Sequence, residues 1–327
     1  MPSIQEVVEA RERGVRWLLS QLNVDCSISP YDHAIGSFYR LPWAFAVTGH
    51  SWEGAMLLEW FRRNMFNEEG DFAGKYSRED ADGMYPYPNS NLIYGAHLLR
   101  QFDISQKGMR FLLTLQDKEA GGFYSRKDNL GPTGEQDIWV SSQAGLTCLL
   151  TGRLEAAIRV GVFLEMMWNL QPDVEGKLYH VYSKKEGLIR EPRKCVDAGA
   201  PAQLYFQPGI AAAFLSRLYM ARPERKYLDL AKGYIEFAMR CSDDKLSRPQ
   251  VRKTGWGAGL VYQITKDTRY RLYAMRVLDY ILDAQYPEGH WVNLIASSTR
   301  PERHQSIETS AEAIVHLDHI TASINVY

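Results

Sequence analysis

Long apolar runs, paired cysteines and an excess of either charge are all missing from this 327-residue chain. Its longest apolar stretches, such as the one from Gly209 to Leu215, fall far short of the roughly 20 residues that span a bilayer. The opening residues MPSIQEVVEARERG carry charges where a signal peptide needs an apolar centre, so the expected location is the cytoplasm. The 38 Lys and Arg nearly balance 39 Asp and Glu; the formal net charge of -1 and the lack of a basic run argue against nucleic acid or an anionic membrane as partner. Cys26, Cys148, Cys195 and Cys241 are widely spaced with no CxxC pair, which excludes a disulfide framework and a cysteine zinc site. Period-two alternation of useful length is scarce as well, so no strand is expected to compete with helix.

What the chain does have is a repeat. Glu69-Gly70-Asp71-Phe72, Ala120-Gly121-Gly122-Phe123, Glu175-Gly176-Lys177-Leu178-Tyr179 and Glu288-Gly289-His290-Trp291 each follow a helical run and place an aromatic just after a glycine. Their period of roughly 50 residues is that of stacked or ring-closed hairpins. A degenerate copy falls at Asp243-Asp244-Lys245-Leu246. Between these points the apolar period is near 3.6 and comes in two kinds. Residues 226–241 put Tyr227, Leu230, Ala231, Tyr234, Phe237, Ala238 and Cys241 on one face, as an outer helix with a wet side would. Residues 137–150, 203–215 and 255–262 are apolar or small all round, as buried inner helices would be. The pattern predicts helices near 4–22, 38–48, 51–67, 89–102, 105–116, 137–151, 153–170, 203–220, 226–241, 251–264, 268–285 and 307–322. Twelve helices in six outer/inner pairs make an all-α, (α/α)6 toroid, expected to form a single domain over residues 1–327.

At the ends of the outer helices the sequence resembles a known family. Tyr280-Ile281, Gln285, Gly289 and Trp291 stand at the spacing of the QW motif of terpenoid cyclase and prenyltransferase α/α toroids. Lys107-Gly108-Met109-Arg110-Phe111-Leu112, Gln116 and Gly121-Gly122-Phe123 resemble it again, with one extra residue and Phe for Trp. Arg13-Gly14-Val15-Arg16-Trp17-Leu18 with Gln21 repeats its front half, and Gln171, Gly176 and Tyr179 form a weaker copy. The resemblance implies the toroid fold; the motif itself is structural, the Gln and aromatic tying a helix end to the following turn. The family's chemistry does not carry over. The Asp-x-Asp-Asp acid of squalene-type cyclases is absent, Asp243-Asp244 lacks the third Asp of a magnesium-binding Asp-Asp-x-x-Asp, and Trp139 stands where a prenyltransferase zinc site needs Cys. A metal-free site with no cofactor is therefore expected.

In such a ring the inner helices converge on a central cavity, so site residues are sought at their N-terminal turns. The substrate-binding candidates are His33, Tyr39, Trp43, Tyr94, Trp139, Gln143, Gln203, Lys253 and Trp256; the catalytic candidates are Asp137, Asp197, Tyr205 and Glu308. Each has a plainer reading. Asp137 opens an inner helix and suits a cap as well as an acid. The three Trp could be ordinary core. Asp197 lies in the long irregular stretch 180–202, where loops tend to be functional, yet it could simply pair with Arg193 or Lys194. Glu308 could cap its helix or pair with a base. His316 and His319, near the far end of the last helix, read as structural.

Two enzymatic readings follow, with a non-catalytic binding toroid as a third. One is a cyclase or isomerase of natural-product biosynthesis that folds a hydrophobic terpenoid or polyketide-like small molecule in an aromatic cavity, including by a pericyclic (4+2) closure. The other is a carbohydrate-active enzyme such as a glycoside hydrolase, lyase or sugar epimerase, since this ring hosts many chemistries. Opposed carboxylates across a groove would favour the sugar enzyme, and a closed apolar pocket the cyclase.

Overall fold

Helix α1 (Ile4–Ser20) begins where Ser3 and Glu6 make reciprocal bonds to each other's backbone N–H, a capping box that satisfies two orphan donors. Eleven further helices follow in the computed structural model, which describes residues 2–28, 38–72, 83–293 and 303–324: α2 (Leu41–Val47), α3 (Ser51–Asn64), α4 (Pro86–Leu98), α5 (Phe102–Thr114), α6 (Ile138–Leu150), α7 (Leu154–Asn169), α8 (Phe206–Ala221), α9 (Arg225–Arg240), α10 (Arg252–Thr265), α11 (Thr268–Asp283) and α12 (Arg303–Ile324). All twelve expected helices are present. α4 starts earlier than expected, at Pro86, because proline is tolerated in a first turn, where its missing N–H would have no partner anyway.

The even-numbered helices form the inner ring, each packed on the next, with α12 returning to α2. Burial follows this division. In α8 only the last turns reach solvent, whereas α9 buries Tyr227, Leu230, Ala231, Tyr234, Phe237 and Ala238 and turns its charges outward. At about 25 cal/mol per Å² of apolar surface, these continuous inner faces are the main term holding the ring together. No helix among the described residues is long and apolar enough to cross a membrane. All four cysteines are buried and free.

The glutamine motifs do more than tie a helix to its own turn. Gln285, just after α11, donates from Nε2 to Gly289 O and to Ala10 O on α1, both at 2.8 Å, and its Oε1 accepts from Arg13 at 2.6 Å. Gln116, after α5, repeats this on α7: its Nε2 donates to Gly121 O and Ala156 O at 2.9 Å, and Arg159 donates to its Oε1 at 2.9 Å. Gly289 (φ 104°) and Gly121 (φ 91°) adopt left-handed backbone, and a Cβ there would sit 2.5 Å from Arg13 O and 2.2 Å from Arg159 O. The aromatic residue that follows is pinned to the next inner helix: Trp291 N–H donates to Ser310 Oγ and Phe123 N–H to Ser141 Oγ, both at 2.9 Å. The Gln171 side chain stays local, exchanging bonds with Tyr179 and Met167.

The expectation of no strands is corrected. Five short ones occur among the described residues: β1 (Gln136–Asp137), β2 (Lys177–Tyr179), β3 (Val181–Ser183), β4 (Gly187–Leu188) and β5 (Cys195–Asp197). β3 pairs antiparallel with β1 in the register Gln136↔Tyr182 and Asp137↔Val181, and β2 pairs with β5. Strands this short offer too few residues for a period-two signal. β2 to β5 lie in an insert after α7, which β3 ties back to β1 at the entry to α6.

Candidate active site

Successive inner helices place side chains at two depths, because residues three or four apart on a helix lie on one face, one turn apart. α12 shows this most plainly, with Glu308, Glu312 and His316 at four-residue steps and His319 one turn beyond. The upper layer, at the N-terminal ends, holds Tyr39, Arg40, Tyr87, Trp139, Phe206, Lys253, Glu308 and Glu312. The lower holds Trp43, Tyr94, Trp256, His316 and His319.

Charge is concentrated in the upper layer. Arg40, only 4% exposed, pairs with Glu308, lies 3.4 Å from Glu312 and donates to Tyr87 Oη at 2.5 Å. Its guanidinium also packs over the Tyr39 and Tyr87 rings, at 4.8 and 5.4 Å. Tyr39 donates to Glu308 at 3.0 Å. Glu312 is shared by Arg40, Lys253 and Arg252, and Lys253 also lies over the Phe206 ring at 5.4 Å. Burial alone would raise the Glu312 carboxyl, but Arg40 and Lys253 hold it well below the usual carboxylate range. Burial lowers the Arg40 guanidinium, yet Glu312 and the adjoining tyrosines lift it further, so it stays charged. Burial pushes the Tyr39 phenol well up, so it is a donor at neutral pH.

Beside this cluster stands an imidazole. His180, between β2 and β3, is fixed by its backbone, which donates to Lys194 O and accepts from Ile138 N–H, both at 3.0 Å. Its Nδ1 lies 2.6 Å from Asp137 Oδ2, while its buried Nε2 has no partner among the described residues. Asp137 does two things at once: Oδ1 caps α6 by accepting from Trp139 N–H at 2.6 Å, and Oδ2 faces His180. Gln207, at the head of α8, bridges them, with Nε2 3.3 Å from Asp137 Oδ2 and Oε1 accepting from Trp139 N–H at 3.1 Å. The Trp139 ring leads back to the charge cluster, 4.3 Å from Tyr87 and 4.9 Å from Phe206.

The lower layer is aromatic and neutral. Trp43 packs on Tyr94 at 4.3 Å and on Trp256 at 6.4 Å, and His319 stacks on Trp256 at 4.6 Å. Burial lowers both histidines, His319 to about 3, so each is uncharged at neutral pH. Among the described residues, the indole nitrogens of Trp43, Trp139 and Trp256 are buried without partners, as are Gln143 Nε2, His316 Nε2 and His319 Nε2. Buried polar atoms of this kind are ones that a ligand or water would complete.

Of the expected residues, the structure brings together Asp137, Glu308, Tyr39, Trp43, Tyr94, Trp139, Gln143, Lys253 and Trp256. His33 lies outside the described residues. Asp197, Gln203 and Tyr205 stand apart. Asp197 is half-exposed on β5, 3.6 Å from Lys177 rather than paired with Arg193 or Lys194; Gln203 Oε1 accepts from its N–H at 2.9 Å. Tyr205 donates to Asp244 at 2.5 Å, a rim contact that Arg248 extends. His180, Arg40 and Glu312 were not among the residues expected from sequence. Glu312 was signalled by its four-residue step from Glu308; His180 sits in a Leu-Tyr-His-Val-Tyr-Ser alternation too brief to read. Among the described residues no group of three or more His, Cys, Asp or Glu is placed to hold a metal.

No protein-family model matches the chain, nor does any curated protein sequence. Solved structures do. The chain is similar to a D-mannose isomerase (TM-score 0.71, 12% identity, covering 98% of this chain and 99% of that one). It is similar to a GH76 α-mannanase from Bacteroides thetaiotaomicron (TM-score 0.67, 13% identity, 97% and 96% covered). A type II terpene cyclase from Scytonema is similar too, at TM-score 0.59 and 12% identity, with 98% of this chain and 100% of that chain covered. At such identities the likeness is one of fold, and the fold this chain shares with all three is the (α/α)6 toroid.

Proposed function

We propose that the ring is an isomerase-type enzyme that moves a proton on a small polyhydroxylated, carbohydrate-like substrate bound in the upper layer. The observation that carries this is the His180–Asp137 pair: an imidazole oriented through Nδ1, with Nε2 buried and free. In this reading Asp137 fixes the tautomer that leaves a lone pair on Nε2, and stabilises the imidazolium once a proton arrives. Nε2 takes the proton from the carbon next to a substrate carbonyl. The C–H electrons form an enediolate, whose oxygen is held by Arg40 and Lys253; the imidazolium then returns the proton to the former carbonyl carbon, while the neighbouring hydroxyl proton passes to the first oxygen and leaves the carbonyl on the adjacent carbon. The buried ions at the entrance suit hydroxyl-bearing substrates, and the Trp139, Tyr87 and Phe206 rings supply apolar faces beside them. The D-mannose isomerase likeness is consistent with this reading.

The test is solvent exchange. Aldoses and ketoses incubated with the protein in D₂O should lose the NMR signal of the hydrogen next to the carbonyl, and folded His180→Gln should not catalyse this. Exchange at the wild-type rate in that variant would remove His180 from the chemistry.

A second reading has its own support. The Trp43–Tyr94–Trp256 cluster is the aromatic, mainly apolar surface expected of a cyclase closing a terpenoid or polyketide-like chain. Turnover of a polyene substrate, with no exchange in any sugar, would favour it.

A further inference from the structure

Arg252, the first residue of α10, is 1% exposed. Its Nη1 donates to Thr309 O at 3.1 Å and lies 3.6 Å from Glu312. The other side of the guanidinium, Nε and Nη2, has no hydrogen-bond partner among the described residues. These two nitrogens form the parallel edge that grips a carboxylate or phosphate through two N–H bonds. Lys253, the next residue and 6% exposed, donates among the described residues to Glu312 alone; an ammonium has three donors.

Charge points the same way. Arg40, Arg252 and Lys253 face Glu308 and Glu312, so three buried cations meet two carboxylates. Neighbouring groups do not correct the imbalance. His316 is kept neutral by burial, the Tyr39 phenol stays protonated, and Asp137 is engaged by His180, Gln207 and the Trp139 N–H. Arginine does not shed its proton in proteins, so the surplus cannot vanish by titration of Arg252. An uncompensated buried cation is costly enough that it is normally paired.

We infer that the head of α10 is an oxyanion-binding site, taking a carboxylate or phosphate group on the Arg252 edge with Lys253 beside it. The inference rests on these two side chains and their charge balance, independently of the proton-transfer reading. The anion comes either from the substrate itself, as in a sugar acid or sugar phosphate, or from free phosphate.

Calorimetry on the intact protein at low salt separates these sources, using glucuronate, glucose 6-phosphate, inorganic phosphate and neutral glucose as probes. At least one anion should bind tenfold or more tightly than glucose. Binding of inorganic phosphate alone assigns the site to a free anion. Binding of a sugar anion without inorganic phosphate assigns it to substrate. Lys253→Met should weaken the anion at least tenfold while the melting temperature holds or rises, because Glu312 keeps Arg40 and Arg252 and the surplus charge is gone. Lys253→Arg should restore binding. Should no anion exceed glucose, or should anion binding be undiminished in both Lys253→Met and a folded Arg252→Met, the site is refuted. Because the readout is affinity, sugar exchange can fail while the anion site stands, and the reverse.

Discussion

The two layers of the inner ring are built from the same helices one turn apart, yet they treat polarity in opposite ways. The upper layer keeps ions: Arg40, Arg252 and Lys253 against Glu308 and Glu312. The lower layer contains ionisable imidazoles but holds them neutral, packed against Trp43 and Trp256. The difference teaches that burial alone does not set charge state here; the partner does. Glu312 stays ionised in a largely buried position because cations surround it, while His319, buried to a similar degree, is packed against aromatic faces with Asp318 3.7 Å from its Nδ1, and desolvation prevails. Reactive polarity is thereby confined to the end where the β insert delivers His180.

Substitutions can break this contrast, and the largest effect is expected on turnover. Asp137→Asn should lower kcat by roughly 100- to 10,000-fold, since the amide no longer fixes the imidazole tautomer. Steady-state kinetics with a melting curve would check it; wild-type kcat in a folded variant would reduce Asp137 to a helix cap. Next comes Trp256→Ala in the lower layer, with an expected loss of about 3–5 kcal/mol of stability from the cavity it leaves, read by denaturant unfolding. If Trp256→Ala cost activity without stability, the lower layer would be a substrate wall rather than a packed floor. Arg40→Met, which strands Glu308, should destabilise by about 3–5 kcal/mol, whereas Tyr39→Phe removes one hydrogen bond and should cost about 0.5–1.5 kcal/mol.

A pH series sharpens the same contrast. His316 and His319 have folded-state values below that of a free histidine, so their contribution is present above about 6.5 and lost as pH falls towards the folded values. The melting temperature should therefore drop between pH 7.5 and 5.5, and His319→Phe should flatten that slope. An unchanged slope would mean that His319 takes up its proton in the folded ring as readily as in the unfolded chain.

The outer belt was largely legible in the sequence, because it repeats. Gln116 and Gln285, with Gly121 and Gly289 behind them, perform the same job twice, and repetition is what a single sequence displays. The extra reach of those glutamines to Ala156 and Ala10 was hidden, since both partners are backbone carbonyls on the next outer helix. The inner ring was legible only in part. Trp43, Trp139 and Trp256 stand out by size and by their place near helix starts, and Asp137 by its position at an entry turn. His180 was not, because its approach to Asp137 depends on pairing between strands only two or three residues long. Asp197 misled for a related reason: an irregular stretch without helical period turned out to be a small sheet, and the acid lies on its exposed edge.

The bond from Arg13 to Gln285 spans 272 positions along the chain. It fastens the last outer helix to the first, so this annulus has a seam. Each other junction joins helices near in sequence and can zip early, whereas the seam must wait for the longest loop to close. Until then the flanks of α2 and α12 lie bare and adhesive, so Gln285→Ala should slow refolding and promote clumping even where the finished ring barely notices the loss.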